Sequence, residues 1–170
     1  MPRNLTVRRR PAELARRVPV GIDAAVDVLR HGAHRLVGPE LAAPWAATAG
    51  PSALGVDLGG VHLTREVRIG FGPAFEEDGT FAVSVWWEAA ERPHLFPTFD
   101  GALEVRRHGD GTELRLVGSY EPPLGPVGRF ADGVFGHRVV MASLDALLTR
   151  AAERLAAAVA DEVAAELAGF

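Results

Sequence analysis

The last fifth of the chain constrains the fold more than any other segment. Residues 137–168 contain neither glycine nor proline, and apolar residues recur there every three or four positions. This spacing places them on one face of an amphipathic helix. The members of that face are Val140, Leu144, Leu147, Leu148, Ala151, Leu155, Val159, Val163 and Leu167. The segment therefore predicts a single helix of roughly 48 Å, at a rise of about 1.5 Å per residue.

Four segments before this helix alternate between apolar and polar residues. They are residues 61–71, 80–88, 99–107 and 112–120. A period of two is typical of antiparallel strands that have one face on the core and one in water. The connecting sequences EEDG, at 76–79, and HGDG, at 108–111, are strong turn signals. The four strands are therefore predicted to pair as hairpins.

The first sixty residues predict weaker elements. Residues 14–20 are a poorly patterned strand candidate that Pro19 interrupts. Asp23 is a candidate N-cap of a first helix, and residues 40–47 predict a second, shorter helix. Residues 50–60, bracketed by Gly-Pro and Gly-Gly pairs, predict a loop or a weak strand.

These elements together predict one domain of the α+β class over residues 1–170. A long helix that follows an antiparallel meander must bury its apolar stripe on one face of the sheet. We therefore expect a helix-grip fold, in which a curved antiparallel β-sheet wraps around the long C-terminal α-helix. Two shorter helices are expected near the N-terminus.

Composition narrows the classes of function. The chain has no cysteine, which removes disulfides, thiolate catalysis and cysteine-ligated zinc. No apolar run approaches the roughly 20 residues of a membrane span, and the first residues lack the hydrophobic core of a signal peptide. We therefore expect a soluble, cytoplasmic protein without stable membrane insertion.

The net charge of −4 conceals an uneven distribution. Residues 1–20 contain six arginines and a single acidic residue, Glu13, so the rest of the chain is acidic. A basic arm of this kind could contact nucleic acid or anionic lipid. The acidic body and the lack of a nucleic-acid-binding motif argue against nucleic acid as a partner. We expect residues 1–13 to form a flexible, solvated arm.

The end of the last predicted strand and the start of the long helix carry a family resemblance. Residues 118–148 are GSYEPPLGPVGRFADGVFGHRVVMASLDALL. This segment resembles uncharacterised actinobacterial members of the START-like (SRPBCC, polyketide cyclase and lipid transport) superfamily, in which a strand ends in a Pro-Pro-Leu-Gly turn before the helix. The resemblance extends from Phe96 onward and implies a single START-like domain. It implies no catalytic residues, because the superfamily shares none, and it implies six strands more often than four.

Residues suited to catalysis or metal binding are few. His31 and His34 could share a helix face, but no third ligand is evident nearby. No serine lies in a nucleophile-elbow sequence. His94, Asp100 and Glu88 lie near strand ends, where polar residues are usually solvated. The sequence therefore assigns no catalytic residue, metal or cofactor.

The leading functional hypothesis is a non-catalytic binder of a small hydrophobic or amphipathic molecule, such as a lipid, in a cavity between the sheet and the final helix. A volume of about 300–1,000 Å³ is expected for such a site. The predicted lining residues are Arg65, Val67, Val85, Trp87, Phe99, Leu103, Leu116, Tyr120, Phe130, Val134, Leu144, Leu147, Leu148 and Ala151. One alternative is a polyketide cyclase- or aromatase-like enzyme that uses the same cavity to position a reactive chain.

Two of the predicted lining residues interrupt an apolar phase. Arg65 and Tyr120 both occupy positions where their strands otherwise place apolar side chains. We predict that they are the polar anchors of the pocket, although a bulge or an edge position could turn Arg65 outward. A further alternative is a protein-interaction module that uses the basic arm or Trp86, which alternation places on the face opposite Trp87. The sequence leaves a homodimer open.

Overall fold

The computed structural model describes residues 9–37, 48–58, 61–89, 97–121 and 133–169. Within these ranges, side chains are described for residues 9–36, 69–88, 97–121, 137–138 and 140–169. The strands are β1 (Arg10–Val18), β2 (Thr48–Leu58), β3 (Val61–Glu77), β4 (Thr80–Ala89), β5 (Thr98–His108) and β6 (Gly111–Glu121). The helices are α1 (Ile22–Val37) and α2 (Gly133–Ala168).

All six of these strands form one antiparallel sheet in the order β1-β6-β5-β4-β3-β2. The four alternating segments are confirmed as β3 to β6. The sequence prediction of only four confident strands is too low, because β1 and β2 form the two edges. Alternation is weak in β2, where Pro51 lies within the register shift between Ala49 and Ser52. A proline without an N–H group is tolerated at such an edge irregularity.

Both predicted hairpin turns are present. Glu77 pairs with Thr80 across a two-residue loop in which Asp78 and Gly79 have φ angles of 49° and 72°. A two-residue loop with positive φ angles at both positions is typical of a type I′ turn, whose twist matches that of the flanking antiparallel strands. The second turn has Gly109 at φ 59°.

α2 is one continuous helix of 36 residues, which confirms the predicted long helix. It packs against both edge strands, β1 and β2, as well as β6 and α1. Because the two edges of one sheet contact the same helix, the sheet must curve around it. The helix-grip architecture is therefore confirmed, while the second short helix predicted at 40–47 lies outside the described residues.

The apolar face of α2 is shorter than its sequence suggests. Leu144, Leu148 and Leu155 are fully buried, but 51% of Val163 and 74% of Leu167 is exposed. The prediction that these last two residues pack on the sheet is wrong. Helical spacing indicates which side of a helix is apolar, but it does not show where the covering sheet ends.

The start of the chain also differs from the prediction. β1 begins at Arg10, so residues 10–13 of the predicted flexible arm belong to a strand. At the start of α1, the Ala25 N–H donates to the Gly21 carbonyl at 3.0 Å. Gly21 therefore occupies the N-cap position, and Asp23 lies in the first turn instead of capping the helix.

His34 of α1 gives the fold a pH dependence. Burial, together with the positive charge of Arg35, lowers the pKa of the His34 imidazole below its usual value. The unfolded chain therefore binds more protons than the folded chain between the lowered pKa and about 6.5. Stability is fully retained above about pH 6.5 and falls as the pH drops from there to the folded-state pKa.

We expect the His34→Gln variant to lose less unfolding free energy than the wild type between about pH 7.5 and pH 5, measured by urea denaturation. His108→Gln, which removes an exposed histidine from the β5–β6 hairpin, is the control and should keep the wild-type difference. An unchanged pH dependence in the His34 variant would contradict the assignment.

Candidate functional site

Three aromatic side chains lie side by side at one end of the inner face of the sheet. Trp87 pairs with Phe99, and Phe99 pairs with Tyr120, so the three form a row across β4, β5 and β6. The Trp87 and Phe99 rings stack with centroids 4.9 Å apart. Each of the three residues is 3% exposed or less. We call these three residues the aromatic row.

A pair of glycines allows the aromatic row to lie close to the sheet. Gly101 of β5 pairs with Gly118 of β6, one step inward from Phe99 and Tyr120. A Cβ atom added to either glycine would lie 2.8 Å from the Phe99 Cζ atom. The ring of Phe99 therefore occupies space that any other residue at these two positions would fill.

Tyr120 connects the aromatic row to α2. Its hydroxyl lies 2.7 Å from Nδ1 of His137, and the two rings are nearly parallel with centroids 6.0 Å apart. Tyr120 is 1% exposed, whereas His137 is exposed near the start of α2. The phenol can donate to an unprotonated Nδ1, or it can accept from a protonated one. The pair thus holds one shared proton at the end of an apolar surface.

The sequence predicts the position of Tyr120 but not that of its partner. Alternation along β6 places Tyr120 on the inner face with a phenol that needs a hydrogen-bond partner, as the structure shows. His137 went unnoticed because it precedes the first buried residue of the helical face. Only the order of the elements could have predicted this contact. A helix that follows β6 and packs on the inner face brings its first turns over the end of that strand.

Most of the predicted lining residues lie together in the core. Each of the following is 3% exposed or less: Val85, Trp87, Phe99, Leu103, Leu116, Tyr120, Leu144, Leu147, Leu148 and Ala151. Their surfaces are almost completely covered by other parts of the chain. A ligand that contacts them must therefore displace side chains that now cover the inner face.

The remaining predicted lining residues cannot be placed in the same way. Phe130 and the side chains of Arg65, Val67 and Val134 lie outside the described residues. The backbone of Arg65 pairs with Leu54 in regular register, without a bulge at that position. The role of Arg65 as an anchor stays a prediction.

The outer face of the sheet near the same end carries Trp86. Trp87 is buried and Trp86 is half-buried on the opposite face, which confirms that one of the two tryptophans points outward. The Trp86 indole covers Gly70 of β3, where an added Cβ would overlap the ring. This contact reduces the apolar surface that Trp86 offers to a protein partner.

Arg9 and Trp86 both line a shallow cavity of about 250 Å³. Its guanidinium lies 2.9 Å from a Glu121 carboxylate oxygen and 3.3 Å from one of Asp100. These hydrogen bonds, to Glu121 first and then Asp100, raise the pKa of Arg9. Arg9, the first described residue of the basic N-terminal segment, is thus bound to acidic residues of the sheet.

The described ranges offer neither a metal site nor a membrane span. No group of three histidine or acidic residues there could hold a metal ion. His31 instead lies 3.2 Å from the Asp27 carboxylate, one turn earlier in α1. None of the helices in those ranges combines the length and apolar character needed to cross a bilayer.

Comparison with known proteins supports the fold. No protein-family model and no curated protein matches the sequence. The chain is similar in structure to the protein TTHA0849 from Thermus thermophilus, with 13% identity over 88% of this chain and 99% of that one, at a TM-score of 0.54. Lower scores were found for Ara h 8.0201 (9% identity, 87% and 98% coverage, TM-score 0.48) and Ms6760 from Mycobacterium smegmatis (12% identity, 86% and 88% coverage, TM-score 0.46).

The fold assignment rests on the architecture and on the first of these similarities. The protein is an α+β protein of the helix-grip class, and it shares its overall fold with TTHA0849. Identities this low establish a common fold and carry no assignment of activity.

Proposed function

We propose that this protein binds a small hydrophobic or amphipathic molecule between the curved sheet and α2. The observation that carries the proposal is the Tyr120–His137 hydrogen bond at the edge of the aromatic row. An apolar surface with a few polar groups at one end is the usual composition of a small-molecule site. An amphipathic ligand would place its apolar part against the row and its polar group at Tyr120 and His137.

Because the inner face is buried, a ligand cannot bind there without a change in the structure. Because the aromatic row is 3% exposed or less, ligand entry must open the packing between the sheet and α2. A protein of this kind binds by populating a more open conformation that the ligand stabilises. Arg65, if it points inward as its phase predicts, would supply a second polar group for an acidic ligand.

The first test is to find the ligand. Native mass spectrometry of the protein purified from its own cells should show an added mass that disappears on denaturation. Titration with cis-parinaric acid, a fluorescent fatty acid, should give saturable binding to the ligand-free protein. The proposal fails if no added mass is found and the fatty acid does not bind saturably.

The second test concerns the polar end of the site. We expect Tyr120→Phe to weaken cis-parinaric acid binding about tenfold, the usual effect of losing a hydrogen bond to a charged group. The substitution keeps the ring, so the aromatic row stays packed. Trp86→Phe, on the outer face, is the matched control and should leave the affinity unchanged. Equal affinities for all three proteins would show that Tyr120 is not an anchor.

An enzyme of the cyclase or aromatase type is the second candidate. The same Tyr120–His137 contact favours it, because a phenol and an imidazole 2.7 Å apart can pass a proton to or from a bound molecule. If the protein is such an enzyme, the wild type should convert the extracted ligand on incubation, and the Tyr120→Phe variant should leave it unchanged. Mass spectrometry of the extracted molecule distinguishes this outcome from simple binding.

A further inference from the structure

A second cavity, of about 420 Å³, lies between the first turns of α1 and the β3–β4 hairpin. It is at the opposite end of the sheet from Tyr120, since its residue Arg107 pairs with Thr112 at the other end of β5 and β6. We call this cavity the hairpin cleft. Its volume falls within the range of about 300–1,000 Å³ that is usual for small-molecule sites.

One side of the hairpin cleft is apolar. Ile22 and Val26, from the first turns of α1, are only half-buried there, and Phe81 of β4 is buried beside them. Half-buried aliphatic side chains in a concave surface can gain burial from the apolar part of a ligand. This side of the cleft is the natural place for such a group.

Charged groups of both signs line the rest of the cleft. Arg30 and Arg107 are positive, and Asp23 and Glu76 are negative; all four are exposed. None of them forms an ion pair with any residue in the part of the chain that the structure describes. Charges of both signs thus line one cavity without forming an ion pair with one another.

Arg30 is oriented by its surroundings, whereas Asp23 has no capping role in α1. The Arg30 guanidinium carbon lies 5.2 Å from the centroid of the Phe81 ring, a cation–π contact that orients the side chain. Asp23 is in the first turn of α1, and Gly21 takes the capping position. The Asp23 carboxylate is therefore not used as the helix cap and stays available beside the cleft.

We propose that the hairpin cleft binds a small zwitterion with an apolar side group, the chemistry of a free α-amino acid. Its carboxylate would pair with an arginine, its ammonium group with Asp23 or Glu76, and its side chain with Ile22 and Val26. The two positive and two negative groups of the cleft cancel, so a ligand without net charge matches them. A simple anion would leave both carboxylates of the cleft without a partner, and a simple cation would leave both arginines without one. This site lies beside α1, at the opposite end of the sheet from the Tyr120–His137 pair, and does not depend on the proposed function.

The proposal is tested by NMR titration of the full-length protein with three matched compounds. L-Phenylalanine carries both charges, 3-phenylpropionate lacks the ammonium group, and 2-phenylethylamine lacks the carboxylate. We expect saturable shifts of the Gly79 and Phe81 amides with L-phenylalanine and at least tenfold weaker binding of the other two. L-Leucine and L-methionine extend the series to aliphatic side groups.

Charge-neutral substitutions then locate the site. Arg107→Gln and Glu76→Gln should each weaken amino-acid binding about tenfold. Arg17→Gln, which removes an exposed arginine of β1, is the control and should leave binding unchanged. Equal binding of all three phenyl compounds would overturn the proposal, because it would show that the apolar side alone drives association. Absence of saturable shifts with all three amino acids up to about 10 mM would also overturn it.

Discussion

Gly101→Ala is expected to destabilise the protein by about 3 kcal/mol or more, enough to remove much of a typical domain's stability. The added Cβ would overlap the Val117 carbonyl oxygen and lie 2.7 Å from the Gly118 Cα atom and 2.8 Å from the Phe99 ring. Two of these neighbours are backbone atoms of the paired strand β6. They cannot move without breaking the β5–β6 register, and Phe99 is held against Trp87.

Gly70→Ala is the matched comparison, since it also adds one methyl group to a strand glycine. The three atoms nearest to its Cβ would all belong to the Trp86 indole, which lies on the outer face and can rotate toward solvent. We expect a cost of about 1 kcal/mol and a shift of the tryptophan emission to longer wavelength. Urea denaturation followed by circular dichroism measures both free energies of unfolding. If Gly101→Ala is no more costly than Gly70→Ala, the described packing of Phe99 on the glycine pair is wrong.

Leu148→Ala is expected to cost about 3 kcal/mol, because it leaves a cavity beneath a helix that the sheet encloses. Leu148 is fully buried in the middle of α2. Leu167→Ala removes the same atoms from the same helix at a position that is 74% exposed, and its effect should stay within about 0.5 kcal/mol. Thermal and urea denaturation of the two variants provide the comparison.

The contrast between these two leucines also tests the length of the packed segment of α2. A cost for Leu167→Ala comparable with that of Leu148→Ala would mean that the end of the helix is covered in solution. A second copy of the chain could supply such a cover, and the cost would then depend on protein concentration.

The sequence predicts the central part of the fold well, because local patterns determine it. Alternation identifies β3 to β6, and the Asp-Gly and Gly-Asp turns set the pairing of β3 with β4 and of β5 with β6. The edge strand β2 is predicted only as a loop or weak strand, because its small residues and Pro51 interrupt alternation. Its pairing with β3 is what makes it a strand. Val163 and Leu167 show the reverse error, since they keep the helical spacing beyond the part of α2 that the core covers.

The candidate site is less predictable than the fold. Phase along each strand correctly identifies inner residues such as Leu103, Leu116 and Tyr120. It does not show whether they surround a ligand or one another, because both arrangements require the same apolar pattern. His137 joins Tyr120 only through the return of α2 over the sheet, which is a property of the tertiary structure.

The position of β1 in the sheet has a consequence for how the chain acquires its structure during synthesis. β1 leaves the ribosome first among the strands, yet its neighbour in the sheet is β6, the last of them. Until Glu121 has emerged, β1 has no strand to pair with, and α2 has no complete sheet to pack on. Such distant pairing slows folding, because chain entropy must be lost before the contacts form. The hairpins of β3 to β6 can assemble earlier, so β1 and α2 are expected to join a preformed meander in the last step.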